Sequence, residues 1–73
     1  MNSLIIDTAG KEIFLKIICK GKEYSIQHNN CRENFDELVI LVFDFLKENR
    51  VDLINIDNVF INQGPGKYTS IRS

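Results

Sequence analysis

Residues 7–10, Asp-Thr-Ala-Gly, carry the side chains best suited to chemistry in this sequence. They follow the apolar residues 4–6, which predict a short strand buried on both faces. Ligands of open α/β sheets bind at the carboxyl ends of such strands, where a carboxylate, a hydroxyl and a glycine backbone could hold a phosphate group or its metal ion. The same residue types form ordinary turns, so a plain turn is the alternative interpretation.

Gly64-Pro65-Gly66 is the second candidate, between a predicted strand and a predicted helix that begins near Thr69 or Ser70. Backbone N–H groups in a glycine loop before a helix can bind an anion. The loop is not a Walker motif, and it lacks the third glycine of a dinucleotide fingerprint. On the residues alone we prefer a tight turn that Pro65 stiffens.

The remaining reactive side chains predict no site. His28 stands alone at the end of a predicted exposed strand, and no base is predicted beside Cys31. Cys19 lies in an apolar strand, and two cysteines make neither a disulfide framework nor a zinc motif. We therefore expect reduced thiols, no metal site and no catalytic residue.

The elements that position these residues follow from the hydrophobic pattern. Residues 11–27 predict a hairpin that turns at Gly21, and residues 58–62 predict a fourth strand. Residues 32–50 have helical periodicity, with acidic residues near the start and basic residues near the end. Residues 51–57 predict at most a short helical turn. The predicted core-facing stripe of the helix consists of Phe35, Leu38, Val39, Val42, Phe43, Phe45 and Leu46.

Ile40 and Leu41 project beside that stripe, towards the face that carries Asp44. Either they broaden the contact between the helix and the sheet, or they contact a second packing partner. The order strand, strand, strand, helix, strand indicates an α/β unit with a mixed sheet and a right-handed crossover through one long amphipathic helix. Because the chain ends at Ser73 as a further element begins, we interpret residues 1–73 as part of a domain whose continuation is missing.

Composition narrows the classes of function. The chain has 73 residues, 44% apolar and 26% charged, as in globular sequences, but its size predicts marginal stability without a partner. A net charge of −1 without a basic stripe argues against direct nucleic-acid binding. The sequence has neither a signal peptide nor an apolar run of membrane-spanning length, so we expect a soluble cytoplasmic protein.

Taken in order, these pieces resemble the N-terminal part of the TsaB (YeaZ) family, in the Gcp-like branch of the actin, Hsp70 and sugar-kinase superfamily. Residues 4–9 look like the opening strand and Ile-Asp-Thr turn of that family. Residues 63–72 are similar to its Gly-Pro-Gly-Ser-Phe-Thr-Gly-hydrophobic-Arg signature, with Ser70 where glycine is usual. The resemblance implies a ribonuclease H-like half-domain of order βββαβ(α).

The resemblance also implies a function, that of a non-catalytic subunit in the synthesis of threonylcarbamoyladenosine in tRNA. Such a subunit binds a TsaD-type transferase, in a complex that includes an ATPase subunit, and a homodimer through the same helix is an alternative. The resemblance places the helix of residues 32–50 at the subunit interface. It implies a partner surface on that helix formed by Glu37, Ile40, Leu41 and Asp44.

Asp7 and Thr8 match the turn that contacts phosphate in ATP-binding relatives, and the resemblance implies a vestigial nucleotide site there. We expect this chain alone to bind no cofactor, with ATP and Mg²⁺ at most at the complex. The signature residues, which would shape the loop and orient an interface helix, are Gly64, Pro65, Gly66, Thr69 and Arg72. Two alternatives stay open: an ATP-binding or catalytic TsaD-like protein, and a truncated product without independent function.

Overall fold

The computed structural model describes the backbone of residues 1–64 and 67–72 and the side chains of residues 1–63. The strands are β1 (Ser3–Asp7), β2 (Glu12–Cys19), β3 (Lys22–Asn29), β4 (Asn58–Gly64) and β5 (Lys67–Arg72). The helices are α1 (Arg32–Asp36) and α2 (Leu38–Glu48), and a 3₁₀ turn, Leu53–Asn55, precedes β4. Within the described residues, the strands form one sheet in the order β3-β2-β1-β4-β5.

The predicted α/β fold with a mixed sheet is confirmed. Strands β1, β2 and β3 pair antiparallel in succession, whereas β1 and β4 are parallel. A parallel pair requires a crossover connection, and the helical segment between β3 and β4 supplies it. Because β1 and β4 run in the same direction, their carboxyl ends meet, and Asp7 lies opposite Asn62.

The element after the Gly-Pro-Gly loop differs from the expectation. Residues 67–72 form β5, which pairs antiparallel with β4, so the predicted helix beginning near Thr69 or Ser70 is wrong. The segment contains Tyr, Thr and Ile, which favour strands. As a strand it also pairs with backbone groups along the edge of β4, which are costly to leave without partners.

The turn between β2 and β3 has positive φ at both central residues, 52° at Lys20 and 76° at Gly21. A two-residue turn of this kind matches the twist of the strands that it joins. Gly21 was expected to take this conformation. Lys20 takes it too, although its side chain makes it unfavourable.

The core lies between α2 and one face of the sheet. In β1 and β2 alternate residues are buried, and those between them are mostly half-buried. The buried apolar residues are Leu4, Ile6, Ile13, Leu15, Ile17, Val42, Phe45, Leu46 and Ile56. The expectation that residues 4–6 are buried on both faces is therefore wrong, because α2 packs on one face and Ile5 is only half-buried on the other.

The predicted stripe on the helix is partly wrong. Val42, Phe45 and Leu46 are buried, and Leu38 is half-buried against the core. The other predicted members, Phe35, Val39 and Phe43, are exposed, whereas Leu41 is half-buried against the core. Apolar residues surround α2 on most sides, so periodicity alone leaves open which of them face the sheet.

The expected long helix is interrupted at Glu37, where φ is −102° and ψ is 21°. Hydrogen bonds with helical spacing continue on both sides, from Glu37 N to Glu33 O (3.2 Å) and from Leu41 N to Glu37 O (3.0 Å). Glu33 and Glu37 are four residues apart, a like-charge spacing that destabilises a helix. No helix in the described part of the chain is long and apolar enough to cross a membrane.

The C-terminal end of α2 is closed by a Schellman motif. Arg50 N donates to Lys47 O (3.1 Å) and Val51 N donates to Leu46 O (3.0 Å). Arg50 occupies the left-handed position of this motif, with φ of 56°, where glycine is the usual residue.

We expect Arg50→Gly to be more stable than Arg50→Ala by about 1 kcal/mol, because both variants lack the arginine side chain and only alanine keeps a Cβ in the left-handed conformation. Urea denaturation followed by circular dichroism at 222 nm would measure the difference. Equal stability of the two variants would show that this backbone conformation is not strained.

Candidate functional site

The turn after β1 is held by hydrogen bonds among the residues that were predicted to bind phosphate. Asp7 Oδ1 accepts from Ala9 N (2.9 Å), and Asp7 Oδ2 accepts from Asn62 Nδ2 (3.4 Å). Thr8 N donates to Asn62 O (2.9 Å), and Thr8 Oγ1 lies 3.4 Å from the same oxygen. Both carboxylate oxygens of Asp7 therefore accept hydrogen bonds from the protein, which is what the plain-turn interpretation requires.

Asn30 clamps the same turn from the end of β3. Its Nδ2 donates to Thr8 O (3.1 Å) and Gly10 O (2.8 Å), and its backbone N donates to Lys11 O (3.0 Å). A Cβ placed on Gly10 would meet nothing within 4 Å, so the turn does not need glycine for space. The sequence showed Asn30 only as a turn residue and Asn62 only as the end of a strand. Neither position carried a signal for this contact.

We expect Asn30→Ala to destabilise the protein by about 1–2 kcal/mol, because two carbonyl groups lose their side-chain donor. Asn34→Ala is the matched control, since Asn34 Nδ2 donates a single hydrogen bond, to Asn29 O (2.8 Å), and its loss should cost about half as much. Urea denaturation midpoints measure both effects. An Asn30→Ala midpoint equal to that of Asn34→Ala would contradict the clamp.

No group of three or more His, Cys, Asp or Glu side chains among the described residues could hold a metal ion. Asp7 is the acidic residue at the carboxyl end of the parallel pair. Cys19 and Cys31 are both free thiols and half-buried. Binding of ATP and Mg²⁺ at the complex, and a vestigial nucleotide site at Asp7 and Thr8, remain predictions.

The helical segment exposes large apolar side chains outside its contact with the sheet. We call the set of Phe35 (53% exposed), Val39 (67%), Ile40 (55%) and Phe43 (51%) the apolar strip. Val39 and Phe43 lie four residues apart on α2, on one side of the helix, with Ile40 beside them, and Phe35 precedes Val39 by four residues on α1. Of the four predicted interface residues, Ile40, Glu37 and Asp44 are exposed, whereas Leu41 is half-buried against the core.

A groove of about 540 Å³ continues the apolar strip past the end of α2. Phe43, Leu46, Val51 and Leu53 contribute its apolar walls. Lys47 and Arg50 contribute positive charge, and Asp52 contributes a negative charge. Ile54, which follows Leu53 in the 3₁₀ turn, is 89% exposed. Single exposed apolar residues are common, but a continuous row of them is typical of a surface that contacts another molecule.

The signature loop falls largely outside the described residues. Gly64 ends β4, and Pro65 and Gly66 are not described. Thr69 and Arg72 lie in β5, where Thr69 pairs with Ile61. The predicted role of the loop in orienting an interface helix is therefore not carried by residues 67–72, which form a strand.

No family model matches the sequence. A curated relative does: the chain is similar to the tRNA threonylcarbamoyladenosine biosynthesis protein TsaB of Buchnera aphidicola subsp. Baizongia pistaciae (strain Bp). The two sequences are 30% identical over 70 residues, which cover 94% of this chain and 31% of the relative.

The fold is similar to that of YeaZ from Pseudomonas aeruginosa, with a TM-score of 0.77 and 26% identity over 90% of this chain and 31% of that one. A second structure, of an uncharacterised protein with similarity to peptidase YEAZ from Pseudomonas aeruginosa, has a TM-score of 0.78 with the same identity and coverage. The chain thus spans about a third of the length of the proteins that it matches. The resemblance inferred from the two sequence motifs is confirmed.

Proposed function

We propose that this chain, whose sequence and fold are of the TsaB/YeaZ type, acts in tRNA threonylcarbamoyladenosine synthesis as a non-catalytic subunit that binds a TsaD-type transferase through the apolar strip. The similarity to a curated TsaB protein supports the assignment to this modification. The partner and the absence of catalysis are our own inference.

The apolar strip is the observation that carries the proposal. Its row of side chains at four-residue intervals is the pattern that packs against a second helix, with ridges of one helix in grooves of the other. Val39 is 67% exposed and Ile40 55% exposed, so an isolated chain leaves this apolar area in water. A helical partner would remove it from water, at about 25 cal/mol for each Å².

Charged residues around the strip support a partner of defined orientation. Glu37 and Asp44 are exposed on the helical segment, and Lys47, Arg50 and Asp52 line the groove beyond it. Charged groups around an apolar contact favour one partner and one orientation more than they add affinity.

The hydrogen bonds in the turn after β1 support a non-catalytic role for this chain. Both carboxylate oxygens of Asp7 accept hydrogen bonds within the protein, so this side chain has a structural role in holding the turn. No group of three or more His, Cys, Asp or Glu side chains in the described part of the chain could hold a metal ion beside it. We therefore place the chemistry on the partner. In a calorimetric titration of this chain with Mg-ATP, Asp7→Asn should leave any binding heat unchanged, because no nucleotide binds at this turn.

Co-expression with the TsaD-type subunit of the same source tests the proposal. The two proteins should be recovered together in a fixed ratio when either one is captured. The homodimer alternative predicts a chain that pairs with itself, which light scattering on the isolated protein would detect. If the TsaD-type subunit binds a full-length TsaB relative but not this chain, the proposal is wrong.

A further inference from the structure

A second cavity, of about 200 Å³, lies at the end of the sheet opposite to the Asp7 turn. It lies between the β2–β3 turn and the end of α2. The start of β1 is at this end of the sheet, since Ser3 pairs with Ile18 near the β2–β3 turn. Its polar lining consists of Lys20, Lys22, Tyr24, Asn49, Arg50 and Asn55.

The lining of this cavity is cationic, although the chain as a whole has a net charge of −1. Lys20, Lys22 and Arg50 contribute three positive charges, and no carboxylate lines the cavity among the described residues. None of the three cations forms an ion pair with a described residue, and the neighbouring Glu23 is paired with Lys16 (2.6 Å). Like charges brought together without counter-charges attract an anion.

Asn2 ties together two of the segments around the cavity, the β2–β3 turn and the 3₁₀ turn. Its Oδ1 accepts from Lys20 N (3.2 Å), and its Nδ2 donates to Asn55 O (2.9 Å). On the helix side, the carbonyl oxygens of Phe45, Leu46 and Lys47 accept from Asn49, Arg50 and Val51. The backbone around the cavity is thus held in place before any ligand arrives.

Two of the cations occupy unfavourable backbone conformations. Among the described residues, Lys20 and Arg50 are the non-glycine residues with positive φ, at 52° and 56°. Both positions are ones where glycine would be less strained. Both residues line the same cavity. A charged side chain therefore occupies each of two positions in the lining where glycine would be less strained.

We propose that this cavity binds a phosphate group, with Lys22 and Arg50 as its principal ligands. Arginine and lysine bind phosphate through charge-assisted hydrogen bonds, and the side-chain amide of Asn55 is an additional neutral donor. Pockets for drug-sized ligands have volumes of about 300–1,000 Å³, and this cavity is smaller. It therefore suits a small anion or the phosphate end of a larger molecule. This inference does not depend on the proposed partner or on the tRNA modification.

Nuclear magnetic resonance of the ¹⁵N-labelled 73-residue chain tests the proposal. Sodium phosphate is added near neutral pH, with sodium chloride adjusted to keep the ionic strength constant. We expect saturable shifts in the amide signals of residues 20–22 and 49–51. The double variant Lys22→Gln/Arg50→Gln should bind phosphate about a hundredfold more weakly, since each of the two lost hydrogen bonds to a charged group is worth about a factor of ten.

Lys11→Gln is the matched control, because Lys11 is exposed and does not line the cavity. It should bind phosphate as the parent does. If the double variant loses its dispersed spectrum, Lys22→Gln alone takes its place, since the Lys22 side chain makes no hydrogen bond or ion pair with a described residue. Shifts that do not saturate, equal affinity in the cavity variants, or an equal loss in Lys11→Gln would each overturn the site.

Binding tests with AMP and adenosine distinguish a nucleotide ligand from the free phosphate ion. Tighter binding of AMP than of phosphate, with no binding of adenosine, would support a nucleotide ligand whose base lies near Tyr24. Equal affinity for AMP and phosphate would support a site for the free ion. Binding of a short single-stranded RNA without binding of AMP or phosphate would overturn the assignment of a small ligand.

Discussion

Replacing Ile40 and Phe43 together by glutamate is expected to abolish recovery of the TsaD-type subunit with this chain. The two side chains are 55% and 51% exposed, so the fold should survive the change. In the proposed complex both would be buried, and a glutamate there would carry an unpaired charge into an apolar contact. Central apolar contacts are worth about 2 kcal/mol or more each, so we expect a loss of affinity of at least about a hundredfold.

Ser25→Glu/Gln27→Glu is the matched control for this experiment. It adds two acidic groups at exposed positions of β3, outside the helical segment. Binding should be retained, and circular dichroism should confirm that both double variants are folded. Retained binding in the Ile40→Glu/Phe43→Glu variant would place the partner elsewhere on the chain. Loss in both variants would reflect net charge and not the apolar strip.

The surface that the first experiment tests was only partly predictable from the sequence. The surplus of apolar residues on the helix was visible, and it led to Ile40 and Leu41 as candidates for a second contact. The structure places Leu41 against the core and exposes Val39 instead. A helix with apolar residues on nearly all sides can be turned by a fraction of a residue spacing and still present a plausible core face.

The positions of the first four strands were predicted more reliably than the burial of their residues or the element that follows β4. Alternation and turn residues located β1, the β2–β3 hairpin and β4, because each strand is short and bounded by Gly, Asn or Asp. The burial of residues 4–6 was overestimated, since a strand with helices on both faces and a strand with apolar residues on both faces look alike in sequence. The strand at residues 67–72 was missed because glycine loops precede helices and hairpins alike.

Contacts between distant residues were beyond prediction from one sequence. Asn30 and Thr8 are 22 residues apart, and Asp7 and Asn62 are 55 apart. No local pattern signals such pairs. The same holds for the cationic cavity, where Lys20 and Arg50 meet only because the hairpin turn and the end of α2 lie at the same end of the sheet. A count of charges along the chain conceals this local excess.

Replacing Phe45 by alanine is expected to remove a large fraction of the free energy of unfolding, about 3–5 kcal/mol. Phe45 is 3% exposed and joins α2 to the sheet within the core. Truncating a buried phenylalanine costs about 3–5 kcal/mol, through lost burial and the cavity that remains. At about 0.05–0.15 kcal/mol per residue, a chain of 73 residues has a total stability of about 4–11 kcal/mol, so this single change removes a large fraction of it.

Phe43→Ala separates the effect of burial from the loss of an aromatic ring. Phe43 lies two positions earlier on α2 and is 51% exposed, so the same substitution should cost less than about 1 kcal/mol. Urea titrations compare the free energies of unfolding of the two variants. Phe43→Ala should also weaken binding of the TsaD-type subunit while leaving the fold stable. Equal destabilisation by the two substitutions would mean that Phe43 packs within the chain, and the apolar strip would then lose its role as a surface for a partner.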